Sequence, residues 1–154
     1  MGKEIERKFL VKGDAWRSLG QGQLYKQGFL STVKERVVRV RIVGDLATLT
    51  IKGVADGITR LEYEYNIPKE DAEVFMNILC ERPIIEKTRY RIPMGDVVWE
   101  VDEFWGENQG LILAEVELTD VDQELKVPHW IGQEVSTDPR YSNSNLVHMP
   151  YSRW

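Results

Sequence analysis

Hydrophobic and polar residues alternate with a period of two in eight stretches of the chain. This period places apolar side chains on one face of a β-strand and polar side chains on the other. In residues 37–43, for example, Arg39 and Arg41 share one face while three aliphatic side chains share the other. The pattern predicts strands at residues 4–11, 23–32, 37–43, 47–52, 59–67, 85–92, 97–105 and 111–118.

A different period marks the region between the fifth and sixth strands. Pro68 is followed by Lys69–Leu79, in which acidic residues crowd the first turn and apolar residues recur at helical spacing. We therefore predict a helix over these residues. Asp14 is a candidate cap of a short helix, residues 119–125 are a second short helix candidate, and the region from Pro128 onward is expected to be irregular.

Charged residues occupy one face of seven of the eight predicted strands, and only the second strand lacks them. The opposite face is apolar and requires a cover, which we expect the helices to provide. The acids on the charged face are Glu4, Glu6, Glu62, Glu64, Glu100, Asp102, Glu115 and Glu117, and the bases are Lys8, Arg39, Arg41, Lys52, Arg60, Lys87, Arg89 and Arg91. Glu4 and Glu6 share one pleat and repel each other unless a cation lies between them, and a divalent metal would meet that need.

Two architectures are compatible with such a face. An open sheet would expose it to water as a salt-bridged surface, whereas a closed barrel would point it inward as a charged tunnel. The charges are segregated by strand, since Arg39 and Arg41 form a purely basic pair and Glu115 and Glu117 a purely acidic one. A surface built for cross-strand pairing would more often mix signs, and eight strands can close a sheet without free edges. We therefore predict mainly antiparallel β structure (α+β), with an eight-stranded closed barrel, a charged interior and helices packed outside.

Composition narrows the class of protein. The chain has 154 residues, of which 42% are hydrophobic, and we expect a single domain over residues 1–154. The net charge of −5 does not favour nucleic acid as a partner. No apolar run approaches the roughly 20 residues that span a bilayer, and the charged first strand gives no indication of a signal peptide. With a single cysteine, Cys80, that we expect to pack in a helix, the sequence predicts a cytoplasmic protein without a membrane partner.

Basic pairs facing acidic pairs are what a metal–polyphosphate site requires. Arg and Lys neutralise phosphate oxygens, and carboxylates hold Mg²⁺ or Mn²⁺, which polarise a phosphoryl group or activate water. Phosphoryl transfer depends on positioning and charge stabilisation and needs no Ser, Cys or His nucleophile. The sequence has no glycine-rich phosphate loop, and His129 and His148 both lie in the tail that we expect to be irregular.

The order of these motifs resembles the CYTH superfamily, the triphosphate tunnel metalloenzymes. Residues 4–8 match the E-x-E-x-K signature of that family. The matching segments that follow in order are Arg39-Val40-Arg41, Lys52, Glu62-Tyr63-Glu64, Glu86-Lys87-Thr88-Arg89-Tyr90, Glu100-Val101-Asp102, Glu115-Val116-Glu117 and Asp138-Pro139-Arg140-Tyr141-Ser142-Asn143. The resemblance covers essentially the whole chain, and the short bacterial members are the most similar in length. It implies an eight-stranded antiparallel barrel, a bound triphosphate, and activity that depends on Mg²⁺ or Mn²⁺.

The resemblance also implies roles for individual residues. The positions that would serve metal binding are Glu4, Glu6, Asp102, Glu115 and Glu117, with Glu62 and Glu64 nearby. The positions that would hold the triphosphate are Lys8, Arg39, Arg41, Lys52, Lys87 and Arg89, and we add Arg60 from the same face of the fifth strand. Lys87 is also the catalytic candidate for activating the attacking water, with simple phosphate contact as the alternative. Phe29 stands where many members have Tyr, which puts any hydroxyl contact at that position in doubt.

We therefore expect a metal-dependent hydrolase of triphosphates that prefers inorganic tripolyphosphate. The same residues would also suit a nucleoside or thiamine triphosphatase, a class IV-type adenylate cyclase, or a non-catalytic module that binds polyphosphate or metal. The sequence shows no convincing element for recognising a base, which ranks the cyclase lower. The oligomeric state is left open, with a homodimer as one option.

Overall fold

A computed structural model describes residues 2–154, and β-strands dominate it. The strands are β1 (Lys3–Val11), β2 (Gly22–Ser31), β3 (Val37–Val43), β4 (Leu46–Lys52), β5 (Thr59–Ile67), β6 (Ile85–Met94), β7 (Val97–Phe104), β8 (Ile112–Glu117) and β9 (Ile131–Glu134). The α-helices are α1 (Lys69–Val74), which continues as a wider turn over Phe75–Leu79, and α2 (Asn143–His148). Short 3₁₀ turns cover Ala15–Ser18, Gly106–Asn108, Pro139–Tyr141 and Tyr151–Arg153.

The first eight strands form a closed antiparallel barrel. Neighbouring strands follow the order β5-β4-β3-β2-β6-β7-β8-β1, and β1 pairs again with β5, with Glu4 opposite Arg60. This last pairing closes the sheet and confirms the predicted barrel over the open-sheet alternative. The added strand β9 pairs with the second half of β1, where Val11 lies opposite Ile131.

Strand register places the charged face inside the barrel. Directly paired residues of neighbouring strands lie on the same face of a sheet. Arg89 pairs with Asp102, and Lys8 pairs with Glu115, so acidic and basic side chains converge on one interior. The predicted charged interior is therefore present.

Outside the barrel, apolar side chains are covered by short segments of the chain. Trp99 on β7 is completely buried, and Trp16 and Trp130 pack in the same cluster from two connecting segments. Ala72 of α1 and Met76 of the turn that follows cover the outer face of β3 and β4. Every helix in residues 2–154 is too short or too polar to span a lipid bilayer.

The cover that the helices provide does not extend over β5. Leu61, Tyr63 and Tyr65 lie on the outer face of that strand and are 56%, 47% and 56% exposed. The helix after β5 crosses β3 and β4 instead, so no element of residues 2–154 buries these three side chains.

Cys80 is buried at the end of the helical segment, beside Gly28 of β2. A Cβ at Gly28 would approach the Cys80 sulfur to 2.8 Å, so the strand and the helix end pack without space for a side chain. Burial raises the pKa of the Cys80 thiol, as fits a packing role and not that of a nucleophile.

Two predicted features differ in the structure. Residues 119–125 form turns and no helix, because the Asp120 carboxylate accepts from the Asp122 backbone and Gln123 accepts from Thr119. Such local side-chain bonds compete with helical ones. The tail is more ordered than expected, since it contributes β9, α2 and two single turns. The short helix predicted after Asp14 is a 3₁₀ turn over Ala15–Ser18, and the Asp14 side chain makes no cap hydrogen bond to it.

One end of the barrel interior is apolar. Phe29, Ile85, Phe104 and Leu113 form a buried cluster there, and Leu146 of α2 packs into it. Residues paired directly with Lys87, Arg39 and Asp102 belong to this cluster, so the charged groups begin where the apolar packing ends. Phe29, at the position where many family members have Tyr, therefore packs in this cluster.

Candidate active site in the barrel interior

The barrel encloses a cavity of about 710 Å³. The predicted site residues that line it are Glu4, Glu6, Lys8, Arg39, Arg41, Lys52, Arg60, Glu62, Glu64, Lys87, Arg89, Glu115 and Glu117. Asp102 is fully buried behind Lys87 and Arg89. The structure thus brings the predicted residues together around one space, and the contacts among them separate their roles.

Asp102 is enclosed by cations. Its carboxylate lies 2.8 Å from Lys87 Nζ and accepts two hydrogen bonds from the Arg89 guanidinium, at 2.7 and 2.9 Å. Arg89 also lies 3.3 Å from Glu100 and 3.4 Å from Glu115. Burial raises the pKa of Asp102, but the charges of Arg89 and Lys87 bring it below its ordinary value. This carboxylate neutralises and orients two cations, and the metal binding that the sequence predicted for it stays a prediction.

Lys87 is the most deeply buried cation of the cavity. Burial lowers the pKa of its ammonium to about 7, with Asp102 opposing the change and Arg89 adding to it. An amine with this pKa exchanges its proton near neutral pH, which is the range that acid–base catalysis uses. Phe104 lies beneath the ammonium at 5.4 Å and contributes to its dry surroundings.

The wall formed by β2, β3 and β6 carries a surplus of positive charge. The guanidinium carbons of Arg41 and Arg89 each lie 4.9 Å from the centre of the Tyr25 ring. Burial, then the nearby Arg39 and Arg89, lower the pKa of Arg41 to about 9. Arg41 is in no ion pair within residues 2–154, and its Nε donates to Gln27 at 3.0 Å. The buried Nε of Arg39, by contrast, has no hydrogen-bond partner among residues 2–154. An anion in the cavity would compensate this surplus.

The opposite wall begins with a carboxyl pair. Glu4 and Glu62 share a hydrogen bond, and Lys52 Nζ lies 3.3 Å from Glu4 and 3.1 Å from Glu62. Burial raises the pKa of Glu4 to about 7, with Lys52 opposing and Glu62 adding to the rise. For Glu62, burial also raises the pKa, but the hydrogen bond from Glu4 and the charge of Lys52 lower it more. Of the two carboxyl groups, Glu4 is therefore the one that keeps its proton to the higher pH.

A second carboxyl pair lies beside the first. Burial, then the charges of Glu115 and Glu4, raise the pKa of Glu6 well above its ordinary value. Burial raises the pKa of Glu115 too, but Lys8 and Arg89 hold it well below its ordinary value. Lys8 Nζ lies 3.6 Å from Glu115, whereas Glu6 is in no ion pair within the described part of the chain. The two pairs together carry more carboxyl groups than the local cations neutralise.

This donor set fits a hard divalent cation. Mg²⁺ and Mn²⁺ take carboxylate oxygens, and Glu4, Glu6 and Glu115 each interact with one another strongly enough to shift their pKa values. Within residues 2–154 no three such side chains already converge on one point, because Lys8 and Lys52 draw part of the set toward themselves. A cation would replace the protons on Glu4 and Glu6 and compete with the two lysines.

Three other predicted residues lie at the margin of the cavity. Arg60 donates two hydrogen bonds to the Gly53 carbonyl, at 3.1 and 2.8 Å, and so holds the loop between β4 and β5. Glu64 accepts from Thr50 at 2.9 Å and lies 3.4 Å from Arg39. Burial and the charges of Glu62 and Glu100 raise the pKa of Glu117.

Sequence reasoning missed three residues that hold the positive wall. Tyr25 and Gln27 lie on the inner face of β2, the one barrel strand whose inner face carries no charge. The period of two places both residues on that face, but a search for charged residues alone overlooks them. Asn143 lies in the tail and accepts a hydrogen bond from Lys87 at 3.0 Å. Its position followed from no periodic pattern, because the tail has none.

Comparison with known proteins agrees with this geometry. The CYTH domain family matches residues 2–151. The chain belongs to the CYTH family. This confirms the resemblance of its motifs. A protein of Acetivibrio thermocellus named inorganic triphosphatase is 54% identical over 154 residues, covering 100% of this chain and 99% of its own. A protein of the same name from Nitrosomonas europaea is 36% identical over 153 residues, covering 94% of this chain and 96% of its own.

Solved structures share the CYTH barrel. The structure of an inorganic triphosphatase superposes with a TM-score of 0.63 at 32% identity, covering 93% of this chain and 96% of that one. A protein of Pyrococcus horikoshii OT3 superposes with a TM-score of 0.58 at 17% identity, covering 77% of this chain and 81% of that one. The second comparison concerns the fold alone.

Proposed function

We propose that this CYTH protein is a metal-dependent triphosphatase and that inorganic tripolyphosphate is its substrate. The observation that carries the proposal is the charge imbalance across one cavity. Among residues 2–154, Arg41 has no ionic partner on a wall with surplus positive charge, and Glu6 has none on a wall whose carboxyl groups outnumber the nearby cations. A complex of a divalent cation with a polyphosphate neutralises both walls at once. The names of the two curated relatives support the same reaction.

The positive wall would bind the phosphate chain. Arg39, Arg41 and Arg89 would donate to its oxygens, and Tyr25 keeps two of these guanidiniums in place by stacking. Lys8 and Lys52 lie between the walls and would turn from carboxylates to phosphate when a cation takes those carboxylates. Arg60 would act at the margin, through the loop that it holds.

The negative wall would hold the cation. Glu4, Glu6 and Glu115 are the assigned ligands, with Glu62, Glu64 and Glu117 close by. Bound Mg²⁺ or Mn²⁺ would supply charge neutralisation at the phosphoryl oxygens and a template for the attacking water. We assign Asp102 to positioning and not to metal binding, because it already balances Lys87 and Arg89.

Lys87 is assigned to the proton of the attacking water. Its ammonium is held by Asp102 at the boundary between the charged cavity and the apolar cluster. With its pKa near 7, a fraction of Lys87 is neutral at physiological pH and can accept a proton at Nζ. Once protonated, the same group stabilises the charge that develops on the leaving phosphate.

The test is a substrate panel. The purified protein is incubated with tripolyphosphate, ATP, GTP or thiamine triphosphate in Mg²⁺, Mn²⁺ or EDTA, and phosphate and cyclic AMP are quantified. The proposal expects metal-dependent phosphate release that is fastest from tripolyphosphate. Arg41→Ala purified in parallel controls for contaminating phosphatase.

Each alternative has its own outcome. Faster release from a nucleotide or thiamine triphosphate would replace the substrate and keep the reaction. Cyclic AMP formed from ATP would identify an adenylate cyclase. Tight binding of tripolyphosphate without turnover in either metal would show a non-catalytic module and overturn the proposal.

A further inference from the structure

Two uncharged amides connect the cations of the positive wall. The Oδ1 atom of Asn143 accepts from Lys87 Nζ at 3.0 Å and from Gln27 Nε2 at 2.9 Å. The Oε1 atom of Gln27 accepts from Arg41 Nε at 3.0 Å. A continuous chain of hydrogen bonds therefore runs from Lys87 through Asn143 and Gln27 to Arg41. We call Asn143 and Gln27 the amide bridge.

The two ends of the amide bridge fix its orientation. Arg41 is a pure donor, and so is Lys87 while its ammonium is protonated, so each must then face an amide oxygen. Arg41 holds the oxygen of Gln27, which turns the Gln27 nitrogen toward Asn143. Lys87 donates to the Asn143 oxygen, and the Gln27 nitrogen donates to that same oxygen. Only one arrangement of the two amides satisfies all three bonds, so the bridge has a defined polarity.

The amide bridge is also held in place by packing. Gln27 is fully buried on β2. Asn143 is the first residue of α2, and Ser142 before it caps that helix by accepting from the Asn145 backbone at 3.3 Å. Leu146 and Val147 of the same helix are buried in the apolar cluster with Phe104. The tail thus delivers Asn143 to Lys87 from a rigid support.

We propose that Asn143 and Gln27 are positioning residues, and that their amide bridge fixes Lys87 relative to the phosphate clamp at Arg41. Lys87 has four rotatable side-chain bonds, and Asp102 alone restrains its ammonium from one side. The Asn143 oxygen restrains it from a second direction. The bridge thereby fixes the distance between Lys87, which handles the proton, and Arg41, which holds phosphate. This inference rests on the proposed function for its kinetic consequence.

The test uses Asn143→Ala, Gln27→Met and the double variant. Loss of a hydrogen bond to a charged group costs roughly 1.5–3 kcal/mol, so Asn143→Ala should lower kcat by about 10- to 150-fold. KM should change by less than about threefold, because the phosphate-binding guanidiniums remain. If the amides act as one unit, the double variant should be no slower than the slower single variant. Asn145→Ala is the matched control, since that amide bonds to the Pro139 carbonyl and not to Lys87.

Additive losses in the double variant, or an unchanged kcat in Asn143→Ala, would overturn the proposal. A second measurement separates it from the proposed function. In ¹⁵N NMR spectra of the metal-free protein, Asn143→Ala should shift the Gln27 side-chain amide signal and broaden the Lys87 ammonium signal by faster exchange, whether or not the protein turns over tripolyphosphate. If the wild-type protein shows no turnover, the proposed function is wrong, but these changes in the NMR signals still support the amide bridge. Unchanged signals overturn the bridge in an active or inactive protein.

Discussion

Lys87 Nζ lies 2.8 Å from the Asp102 carboxylate, and both side chains are almost completely shielded from solvent. Arg89 makes two further hydrogen bonds to the same carboxylate. One buried carboxylate therefore contacts two buried cations, of which Arg89 also lies near Glu100 and Glu115. Removal of the Asp102 charge should therefore destabilise the fold, whereas removal of a metal ligand should weaken metal binding.

Asp102→Asn tests this relationship. Breaking a buried ion pair by removing one partner typically costs about 3–5 kcal/mol, so the free energy of unfolding in urea should fall by that order. Triphosphatase activity should fall as well, and added Mg²⁺ or Mn²⁺ should not restore it. Glu103→Gln, one residue further on the outer face of β7, is the control for the loss of a carboxylate. Full recovery of activity at high metal concentration, with stability unchanged, would return Asp102 to the set of metal ligands.

Glu6→Gln should show the opposite pattern. Glu6 is in no ion pair within residues 2–154, and burial with the charges of Glu115 and Glu4 raises its pKa well above its ordinary value, so a neutral glutamine should cost the metal-free fold little. We expect activity to fall by orders of magnitude at low metal concentration and to recover in part at high concentration, because the lost quantity is metal affinity. The measurement is the activity as a function of Mn²⁺ concentration. Glu134→Gln, which removes a carboxylate outside the barrel, should leave that curve in place.

Arg41→Ala should weaken phosphate binding without affecting the metal. Loss of one charge-assisted hydrogen bond costs roughly 1.5–3 kcal/mol, which is about 10- to 150-fold in kcat/KM. Added metal should not recover that loss. The protein should remain folded, since Arg41 is a half-buried cation without an ionic partner among residues 2–154. Arg17→Ala, on the outer surface, is the control. If Glu6→Gln and Arg41→Ala instead lower thermal stability together and leave hydrolysis unchanged, the charges form a structural network.

The sequence predicted the barrel and the composition of its interior because both follow from a period of two. Alternation assigns Arg39 and Glu115 to the inner face without knowledge of any contact, and the register then brings their strands around one cavity. The ion pairs of Asp102 did not follow, because alternation cannot tell a side chain that lines the cavity from one held behind Lys87. Asn143 was not predicted as a site residue, for a different reason. It reaches the site through a tail whose course depends on apolar packing of Leu146, and that packing has no local signal.

The last prediction concerns competition between protons and metal. The pKa of Glu4 is about 7 in the folded protein and 4.5 as its ordinary value, so the folded state binds more protons than the unfolded state between these values. The stability that the protonated group contributes is complete below about pH 4.5 and is lost as pH rises through 7. In EDTA, Tm should therefore fall from pH 5 to pH 7, with a contribution on the order of 3 kcal/mol from this group.

Above pH 7 the direction reverses, because the pKa of Lys87 is about 7 in the folded protein and 10.5 as its ordinary value. The unfolded state then binds more protons, and stability rises with pH. The raised pKa of Glu6 has the same sign as that of Glu4 and extends the decline, so the metal-free protein should have its minimum of Tm at or above pH 7. Mg²⁺ or Mn²⁺ replaces the proton on Glu4, so the increase in Tm on adding metal should grow from pH 5 to pH 7. Scanning fluorimetry across this range measures both curves, and Glu4→Gln should flatten the metal-free decline. A metal-free Tm that rises steadily from pH 5 to pH 7 would contradict the assignment of the shared proton to Glu4.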